Sequence, residues 1–360
     1  MKKVLIVDDS MLMRQLLTRI LDSSPGLRVV GAAADPYEAR DMIKRLHPDV
    51  ITLDVEMPRM DGITFLGNLM RLRPMPVVMV SSLTERGAEI TLRALELGAV
   101  DYFAKPSVDV SRGLAGYAEE IAGKVISAAH AHVTPLERRP KSAPHQGAGA
   151  QQRHAADVIP GKSGNSSRFV AKGGIIGIGA STGGTEAIKE VLSELPPDMP
   201  AIVVCQHIPA AFSGPFAARA DKQSRMRVAE ACDGQPIQAG HVYIAPGDRH
   251  LLVRRDGARY VCQLDDGLPV NRHKPSVDVM LQSLAHSAGP NAIGVILTGM
   301  GCDGAAGMGE VKKAGGSTLV QDKESSVVWG MPGETVKRGF ADEVLGVGRI
   351  APRLVELVQR

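Results

Sequence analysis

Four short apolar runs in the first 106 residues each end in a group that can handle a phosphoryl moiety. "LIVDDS" ends in an acid pair, Asp8 and Asp9, and "VITLD" ends in a single acid, Asp54. "VVMVSS" ends in two hydroxyls, Ser81 and Ser82, and "DYFAKP" ends in a cation, Lys105, ahead of Pro106. Clustered carboxylates suit an octahedral Mg²⁺, which neutralises them and holds an incoming phosphoryl oxygen; a hydroxyl and a lysine grip the rest. One such acid alone would be read as a helix cap. Acid pair, acid, hydroxyl and lysine in this order at successive strand ends make a phosphate site the better reading.

A second constellation lies in the C-terminal half. "GIIGIGASTGG" sets one serine, Ser181, among five glycines at 174, 177, 179, 183 and 184. A dinucleotide loop G-x-G-x-x-G would need glycine at 182, where Thr182 stands, and the next strand offers Gln206 and His207 where a ribose-binding acid belongs. The pentapeptide Gly179 to Gly183 instead fits G-x-S-x-G, a sharp strand-to-helix turn that exposes its serine. Serine needs a base. His207 ends the strand "AIVVCQH", and Asp303 follows the strand in "AIGVILTGMGCDG" near a helix start, so the three converge on one sheet edge. His207 then takes the Ser181 proton, Asp303 orients the imidazole, and backbone N–H groups after Ser181, Thr182 first, hold the oxyanion. His241 and His250 lie in or beside a hairpin-like insert, His273 and His286 flank a predicted helix, and none of these four ends a core strand. Cys205 and Cys302 fall near the site but are expected to bury as small apolar residues.

Positioning such groups requires two βα-alternating units. Residues 1–106 read as five strands separated by helical segments such as "MLMRQLLTRIL", with a closing helix near 111–130; alternation of this kind makes a doubly wound parallel sheet. Alternation resumes from Phe169, interrupted by the turn-rich stretch 240–264, which reads as inserted antiparallel strands. Between them, 134–168 is rich in Pro, Gly, Ser and Gln without apolar period, and reads as a flexible linker. Its "GKS" at 161–163 has Ala156 where a Walker A loop needs glycine. The fold class is therefore α/β: two doubly wound domains, flavodoxin-like and Rossmann-like with a hairpin insertion, over 1–122 and 169–360, with 123–168 as helix end and linker.

At 360 residues and 44% hydrophobic, the chain can build both cores without staples. Its four cysteines form no C-x-x-C pair, which argues against zinc or disulfides and for a reducing cytosol. The opening "MKKVLIVDDS" is too short in apolar residues for a signal peptide, and no window reaches the ~18 needed to span a bilayer. The linker carries six Lys/Arg against two Asp/Glu, +4, so the net +3 leaves −1 elsewhere and nucleic acid is not an expected partner.

Residues 1–106, with "DVEMPRMDGITFL" and "VSSLTERGAEITLRALELGA", resemble a response-regulator receiver domain. That resemblance implies Asp54 as phosphoacceptor from a histidine kinase, and Mg²⁺ held by Asp8, Asp9, Asp54 and the backbone carbonyl of Glu56. It also implies Ser81 as the switch hydroxyl, with Ser82 adjacent, Lys105 as the phosphate-contacting cation, and Tyr102 as the aromatic switch or simply a strand tyrosine. "GIGASTGGTEAI", "QHIPAAFSGPFAARAD", "YIAPGDRHLLV", "NRHKPSVDVML" and "TGMGCDGAAGM" resemble the catalytic domain of the chemotaxis protein-glutamate methylesterases. The likeness covers nearly all but the linker. Ser181, His207 and Asp303 match that family's triad, and the Met300 backbone is a further oxyanion contact. The implied activity is hydrolysis of glutamate methyl esters on membrane chemoreceptors, and deamidation of receptor glutamines, with no cofactor for the hydrolysis. A transcription regulator would need a basic helix-turn-helix after the receiver, where βα alternation stands instead.

Overall fold

Aliphatic and β-branched runs bounded by Asp, Gly and Pro form strands buried on both faces, as parallel strands between helix layers must be. The computed structural model describes residues 1–82, 84–105, 114–131, 133 and 174–359. The expected linker, Pro106 and the first residues of the expected closing helix lie outside the described residues. The first unit runs β1 (Lys2–Val7), α1 (Met11–Asp22), β2 (Leu27–Ala33), α2 (Pro36–Leu46), β3 (Val50–Asp54), α3 (Gly62–Leu72), β4 (Val77–Ser81), α4 (Glu85–Glu96), β5 (Asp101–Ala104) and α5 (Leu114–Ala128). Its parallel sheet has the order β2-β1-β3-β4-β5, the flavodoxin-like arrangement. Ser10, Asp35, Asp61 and Thr84 cap α1 to α4 by accepting first-turn N–H groups, each worth about 1 kcal/mol.

The second unit begins β6 (Ile175–Ala180), α6 (Gly184–Glu194), β7 (Ala201–Gln206), α7 (Ala210–Gln223), β8 (Arg227–Glu230), β9 (Pro236–Ile237), β10 (His241–Ile244), β11 (His250–Asp256) and β12 (Arg259–Asp265). It continues α8 (Val277–Ala288), β13 (Ala292–Ile296), α9 (Ala305–Lys313), β14 (Ser317–Gln321), α10 (Met331–Lys337), β15 (Glu343–Leu345) and α11 (Val347–Val358). Seven strands form one parallel sheet, β15-β14-β13-β6-β7-β10-β8. The order reverses between β6 and β13, and the loops after these two strands meet at the carboxyl edge, where Ser181 N–H donates to Thr298 O.

One strand departs from expectation. β11 and β12 pair antiparallel from His250↔Asp265 to Asp256↔Arg259, with β9 beside them, as the insert was read. β10 does not belong to that insert: it lies parallel between β7 and β8. "HVYI" is too short for its pattern to reveal a partner. What decides is burial, because Val242, Tyr243 and Ile244 are each covered on the face they present. His241 therefore opens a core strand, and His286 lies within the last turn of α8 rather than beyond it.

The two units touch. Tyr102 of β5 stacks on Phe212 of α7 with ring centroids 4.6 Å apart, and Glu96 at the end of α4 accepts from Arg219 and, at 2.8 Å, from Lys189. Asp101 accepts the hydroxyl proton of Thr182. Among the described residues no helix is long and apolar enough to cross a membrane.

Candidate active site

The register of the parallel strands places Ser181 and His207, the expected nucleophile and base of the second constellation. Ala180 of β6 is paired with Gln206 of β7, and Ser181 and His207 are the next residues of these neighbouring strands. Two strands lie about 4.8 Å apart, so both side chains start from adjacent points on one rim, and both line one cavity of about 700 Å³. Ser181 N–H donates to Thr298 O (3.0 Å), which ties the serine to the chain beyond β13. Gly183 adopts φ 77° at the start of α6, a left-handed geometry that glycine tolerates. Gly299 lies so close that an added Cβ would stand 2.9 Å from Ser181 Cβ and 3.0 Å from Ser181 N.

Asp303 is 1% exposed and lies against His207. Its carboxylate takes five hydrogen bonds: His207 Nε2 (2.8 Å), Asn271 Nδ2 (2.8 Å), Ser276 Oγ (2.8 Å), Val277 N–H (2.7 Å) and Asp278 N–H (3.2 Å). Burial alone would push this carboxyl up; the bonds from His207, Asn271 and Val277 outweigh it and hold the group below the usual carboxylate range. Because Nε2 faces Asp303, Nδ1 is the ring nitrogen left to receive a proton, and it is buried without a partner. Ser181 is therefore not hydrogen-bonded to His207 in this arrangement.

Residues that sequence reasoning missed complete the surroundings. His273, set aside as a flanking histidine, stacks on His207 with centroids 3.7 Å apart and planes 10° off parallel. Burial, then the neighbouring His207, pushes its pKa down to about 3, so it is neutral. Asn271 has φ 52° and bridges Asp303 to Asp278. Gln206 Nε2 holds Ser181 O at 2.9 Å. A polar cluster "NRH" just before a Ser helix cap was the available signal. Cys205 is buried, and burial pushes its thiol well up, which makes it a poor nucleophile. Cys302 is exposed, contrary to expectation, because it sits in the turn between β13 and α9 rather than on either element. Thr182 is buried, and the Met300 side chain reaches over Gly123 of α5.

In the first unit, Asp8, Asp9 and Asp54 present carboxylate oxygens within 4.8 Å of one another, and Asp8 Oδ2 is buried without a hydrogen-bond partner. That is the oxygen-only donor set a hard divalent cation takes. Lys105 Nζ stands 2.7 Å from Asp54 Oδ2 and 3.6 Å from Asp8 Oδ2. Burial, reinforced by the Asp8 charge and opposed by Lys105, pushes Asp54 up to about 6. Glu56 N–H donates to Asp54 Oδ1 at 3.3 Å, with the Glu56 side chain exposed. Ser81 is buried and receives the Thr91 hydroxyl at 2.7 Å, while Ser82 is partly exposed beside Thr84. Tyr102 is 3% exposed, its hydroxyl without a partner.

Comparison with known proteins agrees with both halves. The profile of the CheB methylesterase family matches residues 176–354, and that of the response regulator receiver domain matches residues 4–112. A protein-glutamate methylesterase/protein-glutamine glutaminase 1 of Xanthomonas campestris pv. campestris is 58% identical over 355 residues, 99% of this chain and 97% of its own. A protein-glutamate methylesterase/protein-glutamine glutaminase of Hydrogenovibrio crunogenus is 54% identical over 372 residues, 99% of both chains. The crystal structure of the Thermotoga maritima CheB methylesterase catalytic domain superposes with a TM-score of 0.51 at 41% identity, covering 52% of this chain and 99% of its own. An acid-rich receiver pocket, a serine-histidine-aspartate rim and near-full-length identity above half converge: the chain belongs to the CheB methylesterase family, with a response regulator receiver domain at its N-terminal end.

Proposed function

We propose that this chain is a cytoplasmic, phosphorylation-activated chemotaxis methylesterase that hydrolyses glutamate methyl esters on methyl-accepting chemoreceptors and deamidates receptor glutamines. The observation that carries the chemistry is the rim itself: Ser181 beside His207, whose far nitrogen is held by the five-bonded Asp303 carboxylate. His207 Nδ1 takes the Ser181 proton as Oγ attacks the ester carbonyl. Asp303 stabilises the resulting imidazolium, and the N–H groups of Thr182 and Met300 receive the oxyanion. The ester C–O bond breaks, His207 returns its proton to the methoxide, and methanol leaves. Water then attacks the acyl-serine by the same proton route and releases glutamate; a glutamine amide run through the same cycle releases ammonia.

In the receiver, Asp54 attacks the phosphohistidine of a chemotaxis kinase, the P–N bond breaks, and Lys105 and Ser81 contact the transferred group. Asp8, Asp9, Asp54 and the Glu56 carbonyl would hold Mg²⁺, which supplies charge neutralisation and binds a phosphoryl oxygen. The closed arrangement, with Asp101 on Thr182 and the Ser181–His207 bond unmade, fits an autoinhibited state that phosphorylation releases.

Methanol release from methylated receptor membranes tests this reading: Ser181→Ala should lower the rate by ~10³ to 10⁶. Equal release by wild type and variant would refute the serine mechanism.

A further inference from the structure

The cavity that contains Ser181 has two walls of opposite charge. The receiver wall carries Asp101, Glu119, Glu120 and Lys124, net −2; the catalytic wall carries Arg272 and Lys274 and no carboxylate, net +2. Lys274 is satisfied within its own unit by Asp266 at 2.8 Å. Arg272 is not: its ion-pair partner among the described residues is Glu119 of α5, on the other unit, and the two side chains are 82% and 63% exposed. A pair so exposed adds little to holding the units together.

The backbone beneath Arg272 is tightly fixed. Asn271 donates to Asp303, His273 stacks on His207, and Val270 and His273 exchange backbone hydrogen bonds of 3.0 and 2.9 Å. Arg272 thus stands between two residues in contact with His207 and Asp303, at a set offset from the reacting serine. Its φ of 68° is a left-handed conformation that arginine rarely adopts, maintained while the side chain packs against almost nothing. A strained, anchored and solvent-displayed guanidinium beside a reaction centre is suited to a ligand carboxylate, and what faces it now is a glutamate on a helix.

Resting on the esterase reading above, we propose that Arg272 is a specificity residue that pairs with a free carboxylate flanking the ester on a helical, acidic substrate segment, and that Glu119 fills that place while the receiver is closed. Opening the receiver exchanges one helix-borne carboxylate for another.

The test uses the full chain, phosphorylated with acetyl phosphate and Mg²⁺, on methylated receptor membranes and on p-nitrophenyl acetate, a neutral ester with no carboxylate to read. Arg272→Glu should raise KM for receptor about tenfold or more, because an attractive charge pair is replaced by a repulsive one. It should also reverse the salt dependence of KM, added salt raising it for wild type and lowering it for the variant, while p-nitrophenyl acetate turnover changes less than about twofold. In the unphosphorylated chain, Glu119→Arg should raise receptor hydrolysis several-fold. An unchanged receptor KM would overturn the proposal, as would an equal loss on both esters, which would make Arg272 a support of the triad. A basal rate unmoved by Glu119→Arg would remove the placeholder role. Ser181-dependent turnover of p-nitrophenyl acetate by wild type tests the esterase reading separately.

Discussion

Asp303 concentrates more hydrogen bonds than any ordinary buried acid needs, and each donor is a residue of the site or the start of α8. Replacing it by alanine leaves those donors facing a void and should cost about 3–5 kcal/mol of catalytic-domain stability as well as activity. Its depressed pKa means that its contribution is complete above the unfolded value near 4 and drains as pH falls below it. The stability gap between wild type and Asp303→Asn should therefore narrow on acidification below about pH 4. His273 gives a second window. Held neutral down to about 3, it costs the fold nothing above pH 6.5 and progressively more below, because only the unfolded chain then takes up the proton. His273→Phe should flatten the loss of stability between pH 6.5 and 4 by up to a few kcal/mol. Urea unfolding followed by the single tryptophan, Trp329, reads this in the catalytic half; parallel pH profiles for both proteins would contradict it. Ser181, His207, Asp303, Asp54 and Lys105 were legible because each closes or follows a strand, so chain order alone predicts a common edge. Asn271 and His273 were not, since they reach the edge through an irregular loop whose path depends on tertiary packing.

The turns that carry these residues work by close approach. Gly299 packs between Met331 of α10 and the Ser181 backbone, so the methyl of Gly299→Ala would press on both and push the β6 loop from the chain after β13. Overpacking of this kind costs about 1–3 kcal/mol and would displace Ser181 and the proposed oxyanion donors beside it, so kcat should fall at least tenfold while Tm drops only modestly. Wild-type kcat in a folded Gly299→Ala protein would contradict the assigned contact. Strand existence was readable from apolar runs bounded by turn residues, and the five receiver strands lie where those runs predict. β10 was misplaced because four alternating residues carry no information about their partner; its neighbours β7 and β8 are contributed by chain that precedes it. Cys302 was misread for a similar reason, as a turn residue cannot be assigned burial from polarity alone.

Across the whole molecule, the contact between units includes β5, the strand that leads into Lys105 beside Asp54. Tyr102, the second residue of β5 and three before Lys105, stacks on Phe212, while Glu96 pairs with Arg219 and Lys189. Reversing one charge, Glu96→Arg, should raise the unphosphorylated rate several-fold, and adding Arg219→Glu should bring it back down. None of these partnerships was visible in the sequence, because two domains separated by a long polar stretch leave no pattern that records their mutual docking. In the proposed function, the receiver holds the Ser181 cleft closed until Asp54 is phosphorylated. The rate of methanol release from methylated receptor membranes by the full chain, with and without acetyl phosphate, set against that of residues 169–360 alone, tests it most directly. The fragment and the phosphorylated chain should both outpace the unphosphorylated chain; a fragment no faster than the unphosphorylated chain would rule out closure by the receiver.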